Sequence, residues 1–218
     1  MKNNSQKNLF LNGAGDAFFR RNVEAYANNP KNLQTDEKLI SYLNSLPIPN
    51  NKNIKVLEIG CGQGYLLNSL KKIKKWEFYG LDPSIEACKI AKNHGINAFV
   101  GTADNLPFQD KIFDFIIFGH CLYLCDLTDL FKIANETHRV SKYKSWICII
   151  DFWSPDLKKI PYKHQDGIYS HKFDFSKIFK WHPFFTVIDH NLRHNLNFKY
   201  TDEKDEWTSI TTLRKIEF

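Results

Sequence analysis

No apolar run in the 218-residue sequence approaches the ~20 residues that a membrane-spanning helix needs, and the opening, Met1 to Lys7, lacks the apolar stretch of a secretory signal. The expectation is a cytoplasmic protein with no membrane partner. Cysteine is sparse and odd in number: Cys61, Cys88, Cys121, Cys125 and Cys148. At least three of these lie in apolar, strand-like runs where a reduced thiol packs as a small hydrophobe, so no disulfide is expected. Cys121 and Cys125 have no second Cys or His pair at zinc spacing nearby. His190 and His194 would share a face only in a helix, but Phe184 to His190 reads as a strand, and no metal is assigned. Internal repeats and low-complexity linkers are also missing, which leaves room for one domain spanning 1–218.

The chain is 43% hydrophobic and 15% aromatic, with 18 phenylalanines, enough for a packed core and an aromatic-lined pocket. Its net charge of +6 is spread along the chain except at Lys71-Lys72-Ile73-Lys74-Lys75. Such a run usually forms the solvated end of a helix, opposite the negative end of the macrodipole. Nucleic acid or an anionic small substrate would each account for the surplus.

Two helical patterns, Gly15 to Ala27 and Thr35 to Leu46, precede the hard stop Pro47-Ile48-Pro49, so residues 1–50 are expected to form a cap. Strand-like and helical stretches then alternate: Ile54 to Ile59, a helix from Tyr65, Phe78 to Leu81, a helix from Ser84 to Asn93, Ala98 to Val100, Phe113 to Phe118, a helix from Leu127 to Val140, and Trp146 to Ile150. This rhythm predicts a parallel sheet with helices on both faces over 51–151. Residues 152–218 read as a loop rich in His, Lys and aromatic residues (Phe152 to Phe173), a helix (Phe175 to Lys180), and strands Phe184 to His190 and Trp207 to Leu213 around a turn at Thr201 to Glu206.

The first strand ends in Glu58-Ile59-Gly60-Cys61-Gly62-Gln63-Gly64, where glycines let backbone approach a ligand at the carboxyl edge of the sheet. Nicotinamide-binding folds use Gly-x-Gly-x-x-Gly at this place, but Tyr65 stands where that fingerprint wants its third glycine. Glu58 suits a cationic or hydroxyl-rich ligand better than a pyrophosphate, and Asp82 closes the second strand where doubly wound folds place an acid on ribose hydroxyls.

With these elements residues 54–151 resemble the class I S-adenosylmethionine-dependent methyltransferase family, which carries an E/D-x-G-x-G-x-G loop and an acid closing the second strand. Two further segments carry the resemblance: Thr102-Ala103-Asp104-Asn105-Leu106-Pro107-Phe108, and Phe113 to His120, similar to the family's fourth strand. The resemblance implies S-adenosylmethionine as cofactor and S-adenosylhomocysteine as product. It places Asp82 on the ribose hydroxyls with Pro83 beside it, and Asp104 at the adenine amino group with Ala103 and Asn105. It sets Glu58, Gly60, Cys61, Gly62 and Gly64 around the methionine portion, and Gly119 and His120 at the methyl-transfer site. The fold implied is a Rossmann-like, doubly wound, seven-stranded α/β sheet, mostly parallel with an antiparallel C-terminal strand, under an N-terminal helical cap.

Gly15 to Asn22 resembles an aromatic-Arg-Asn segment of some bacterial methyltransferases of surface-glycan or other small-molecule pathways, which makes Arg21 the candidate partner of the methionine carboxylate; a helix face with two solvated arginines is the alternative. Methyl transfer from a sulfonium is an in-line displacement, so a base is needed only if the acceptor must lose a proton early. His164, with Tyr169 and the lysines of its loop around it, is the first candidate base and His120 the second; the alternative, which the residues favour for each, is a surface or hydrogen-bonded histidine. Lys163 and Lys172 are candidates for an anionic group on the substrate. The expected enzyme methylates oxygen or nitrogen of a small, anionic metabolite such as a surface-glycan precursor, as a monomer or homodimer. A nucleic-acid methyltransferase is the rival enzyme, opposed by Gly119-His120-Cys121-Leu122 where amino-directed base methyltransferases carry Asn/Asp-Pro-Pro-aromatic. A non-catalytic subunit retaining the cofactor fold is the rival outside enzymes.

Overall fold

The computed structural model describes residues 5–27, 31–194 and 202–216. The chain enters through a short helix, α1 (Gln6–Leu9), started by the Ser5 hydroxyl accepting the Asn8 N–H. A π-helical stretch, Phe10–Ala14, leads into α2 (Gly15–Ala27). The kink falls at Asn12 and at Gly13, whose φ of 112° suits glycine alone. α3 (Lys31–Ser45) starts four residues before the expected Thr35 and stops just ahead of Pro47.

The core then runs β1 (Lys55–Ile59), α4 (Tyr65–Lys71), β2 (Glu77–Asp82), α5 (Ile85–Asn93), β3 (Asn97–Val100), β4 (Phe113–Gly119), α6 (Leu130–Val140) and β5 (Ser141–Phe152). Beyond it lie β6 (Lys158–Pro161), β7 (Tyr169–Lys172), α7 (Lys177–Lys180), β8 (Phe185–His194) and β9 (Trp207–Lys215). Seven strands form one sheet in the order β3-β2-β1-β4-β5-β9-β8. β1 to β5 pair in parallel, and β9 inserts antiparallel between β5 and β8. The parallel part is what the alternating pattern predicted, and the antiparallel C-terminal strand is what the resemblance implied.

The apolar run in β4 has its reason in the two faces of the sheet. Ile116 and Phe118 pack with Ile133, Ile178 and Phe179 of α6 and α7, whereas Phe115 and Ile117 pack with Leu43, Leu67 and Cys88 of α3, α4 and α5. A strand buried on both sides cannot alternate with polar residues. A third, smaller cluster joins the cap to the core through Phe10, Ala14, Leu124 and Ile168. At the far end of the sheet, Lys215 is fully buried and its Nζ donates to the His138 and Ser141 carbonyls at 2.9 and 3.0 Å, closing the C-terminal end of α6.

Two stretches differ from expectation. Residues 158–172 form a separate two-stranded antiparallel hairpin rather than a loop, with most of its residues exposed or half-buried. β5 begins at Ser141, five residues early, with the irregular segment before Trp146 marked by Lys144 at φ 58°. Among the described residues no helix is long and apolar enough to cross a membrane.

Phe118 is fully buried at the sheet centre. Phe118→Ala is expected to lower unfolding free energy by about 3–5 kcal/mol in urea titration, the range for deleting a core phenylalanine.

Candidate active site

Strand order reverses between β1 and β4, and the crevice over the carboxyl ends of an open α/β sheet at such a point is its natural ligand site. A cavity of about 590 Å³ fills that crevice, walled by the loops after β1, β2, β3 and β4 and covered by the cap.

The floor is the turn after β1. Gly60 and Cys61 donate their N–H groups to the Leu81 carbonyl at 2.8 and 3.1 Å, and a side chain on Gly60 would stand 2.5 Å from the Cys121 Cβ. With φ at 76°, the position admits glycine on both counts. Across the turn, a Cβ on Gly119 would lie 2.7 Å from Glu58 Oε1, so the bare backbone at the tip of β4 makes the room in which the Glu58 carboxylate sits. Glu58 itself is only 5% exposed.

Asp82 ties two walls together. Its carboxylate accepts the Gly62 N–H and the Ser84 N–H, each at 2.9 Å. Desolvation raises its pKa and these two bonds oppose the rise. Ser84 caps α5 and also donates to Asp16 of the cap at 2.6 Å, so α2 docks on the turn that carries Asp82.

The segment after β3 is held from below: Arg139 donates to the Leu106 and Phe108 carbonyls at 2.9 and 2.7 Å, and the Leu106 N–H reaches Glu136 at 2.8 Å. This sets Ala103 and Asp104 into the cavity wall. Burial pushes the Asp104 carboxyl up, but Lys7 and Thr102 more than offset it and leave its pKa below the ordinary value. Lys7 comes from α1, pairs directly with Asp104, and reaches Asp129 at 2.9 Å.

At the tip of β4, His120 takes φ 49° and donates its N–H to the Ile150 carbonyl at 2.8 Å. The residue is exposed and lines the cavity, its ring 5.4 Å from that of Phe152. Desolvation by the surrounding protein lowers its pKa to about 4. Below it, the fully buried Asp151 accepts the Leu122 and Phe152 N–H groups at 2.8 Å and the Tyr123 N–H at 3.3 Å. Burial raises this carboxyl to about 7 against those bonds.

Of the residues singled out from the sequence, Glu58, Gly60, Cys61 and Gly62, then Asp82 and Pro83, Ala103 and Asp104, and Gly119 and His120 converge on this one cavity. The others stand outside its lining. Gly64 starts α4 at φ 75° and packs toward Ala91, and Asn105 is exposed. Arg21 points to Tyr162, its guanidinium 5.8 Å from the ring centre, while its neighbour Asn22 faces the cavity. His164 is exposed on the hairpin loop; slight desolvation, then the charges of Arg21 and Lys163, lower its pKa. Tyr169 gives its N–H to Gln6 of the cap, and Lys159 Nζ sits 4.0 Å over its ring. Sequence reasoning missed Lys7, Phe10 and Phe18 of the cap, and Tyr123, Asp129 and Phe152 of the core. The aromatic pair Phe18-Phe19 beside Arg21 was the available signal for the cap.

Residues 57–149 match the family profile described as a methyltransferase domain. Over that stretch the chain is similar to methyltransferase domains. The demethylmenaquinone methyltransferase of Thermotoga maritima is 34% identical over 110 residues, 48% of this chain and 46% of that protein. The chain spans about half the length of the curated relatives it matches. In fold the chain is similar to a protein of Pyrococcus horikoshii OT3, with a TM-score of 0.66 at 19% identity over 86% of this chain and 92% of that one. It is likewise similar to the Burkholderia thailandensis 1,6-didemethyltoxoflavin-N1-methyltransferase, solved with 1,6-didemethyltoxoflavin and S-adenosylhomocysteine, with a TM-score of 0.69 at 13% identity over 96% and 88%. S-adenosylmethionine, the cofactor that the resemblance implies, would meet bare backbone at Gly60 and Gly119 there, with carboxylates around them.

Two outcomes follow from this geometry. Lys7→Met removes the two ion pairs that tie α1 to the cavity wall, so S-adenosylhomocysteine should enter and leave about tenfold faster in stopped-flow binding, the effect of losing roughly 1.5 kcal/mol. Asp151 carries a raised pKa in the folded state, so its ionised form costs stability above about pH 7 and that cost disappears as pH falls toward the unfolded value. The melting temperature of the wild type minus that of Asp151→Asn is therefore expected to grow between pH 8 and pH 5 in thermal scans.

Proposed function

We propose that the protein transfers the methyl group of S-adenosylmethionine to an oxygen or nitrogen of a small molecule. The observation that carries this reading is the convergence of Glu58, Asp82 and Asp104 around a glycine turn with no room for a Cβ at Gly60. Asp82 receives the ribose hydroxyls with the oxygen lone pairs left beside its two N–H partners, and Asp104 receives the adenine amino group with Ala103 against the ring. Gly60, Cys61 and Gly62 leave space for the methionine portion, with Glu58 beneath and Asn22, rather than Arg21, above. Bound there, the cofactor supplies an electrophilic methyl group on a positively charged sulfur.

The acid-rich lining favours that positive charge and opposes a pyrophosphate. His120, neutral at pH 7, accepts a proton from the acceptor where the chemistry requires it. It takes precedence over His164 and Tyr169, which lie outside the cavity. The anionic metabolite suggested by the overall positive charge has less support. Lys158 pairs with Asp205, Lys172 reaches the Asp205 carbonyl, and Lys7 is paired twice. A small-molecule acceptor in the cytoplasm, with the protein acting as monomer or homodimer, completes the proposal.

Calorimetric titration with S-adenosylhomocysteine, with NADH as control, tests it. The wild type should bind the former and not the latter, and Asp82→Ala should bind about 30-fold more weakly, the loss of roughly 2 kcal/mol of charge-assisted hydrogen bonding. Equal binding of NADH, or no binding of S-adenosylhomocysteine, would refute the reading.

A further inference from the structure

Beyond the glycine turn the cavity is walled by rings. Tyr123 and Phe152 meet edge to face with centroids 4.9 Å apart, and His120 lies 5.4 Å from Phe152. From the cap, Phe10 and Phe18 face them, 6.2 Å from one another. All five line the cavity. They come from separately anchored elements: Phe152 from the end of β5, Tyr123 from the turn that Asp151 holds, and Phe10 and Phe18 on either side of the kink at Gly13. Aromatic faces converging from three directions favour a flat, polarisable guest, which can stack on one ring and meet another edge-on.

The charges point the same way. The described lining holds the carboxylates Glu58, Asp82, Asp104, Asp126 and Asp129, and its Lys7 is already paired with two of them. Lys159 and Lys172 lie outside the lining, over the Tyr169 and Phe152 rings at 4.0 and 5.7 Å. An anionic guest would enter a low-dielectric space of its own sign, whereas an uncharged one meets no such repulsion.

We infer that the acceptor is an uncharged planar aromatic or heteroaromatic molecule bearing a hydroxyl or amino group, held between the cap phenylalanines and the Tyr123–Phe152 pair. This rests on the methyl-transfer reading above. The acceptor's lone pair forms the new bond to the methyl carbon as the carbon–sulfur bond breaks and its electron pair returns to sulfur, neutralising the sulfonium. The O–H or N–H proton passes to the imidazole of His120 and from there to water. Because the guest arrives neutral, no fixed cation is needed to hold it.

The test uses two probes with one ring system, 2-naphthol and 2-naphthyl phosphate, titrated calorimetrically into the full chain saturated with S-adenosylhomocysteine. 2-Naphthol should bind at least about tenfold more tightly than the phosphate, the Coulombic cost of the added charge. Phe152→Ala should lose about tenfold of the 2-naphthol affinity, a larger factor than it loses for S-adenosylhomocysteine, whose binding also reports that the variant is folded. Equal or tighter binding of the phosphate, no binding of 2-naphthol, or 2-naphthol binding indifferent to Phe152→Ala would overturn the inference. Failure of S-adenosylhomocysteine itself to bind would instead remove the reading on which it rests.

Discussion

At the carboxyl end of β1 the backbone passes between the Leu81 carbonyl, which takes two of its N–H groups, and the Cys121 side chain, which leaves no space for a Cβ at Gly60. The rest of the site depends on that passage. Because the chain turns there with bare backbone at Gly60, the ends of β1 and β4 separate into a crevice, Glu58 finds room against Gly119, and Gly62 comes within reach of Asp82. A methyl group at Gly60 would push the turn away from β4 and break the Gly62–Asp82 bond together with the shape of the floor.

Charge is divided in space. Among the described residues five carboxylates line the cavity beside Lys7, and many basic side chains are spent on structure: Lys71 donates to the His94 and Gly95 carbonyls, Lys74 lies 4.8 Å over the Trp76 ring, Lys142 pairs with Asp114, and Lys215 closes α6. The net charge of +6 therefore describes the outside of the molecule and misdescribes its site.

What could be read from the sequence was what repeats or excludes. The run Phe113 to Phe118 announced a strand buried on both faces, the alternation of elements announced the parallel order, and the Gly60–Gly64 spacing announced the turn. The remainder depended on direction. Arg21 and Asn22 are adjacent in sequence, but a helix rotates about 100° per residue, so one faces Tyr162 and the other the cavity. The 158–172 hairpin escaped because a small sheet with little buried surface shows neither a continuous apolar run nor clean alternation. Lys7 escaped because its partners, Asp104 and Asp129, are about a hundred residues away, a pairing that no local pattern encodes.

The doubly buried β4 carries a liability that the native sheet conceals. Phe113 to Phe118 combines high strand propensity with apolar side chains on both faces, and Asp114 is its one charge. In the folded chain that carboxylate is occupied by the Lys55 N–H at 2.9 Å and Lys142 at 2.8 Å. In a chain still folding it is the only element of the segment that resists stacking against a second copy of itself. The strand that makes the centre of the sheet dry is thus the segment most prone to self-association until β1 and β5 have covered it on either side, and Asp114 serves solubility before it serves structure.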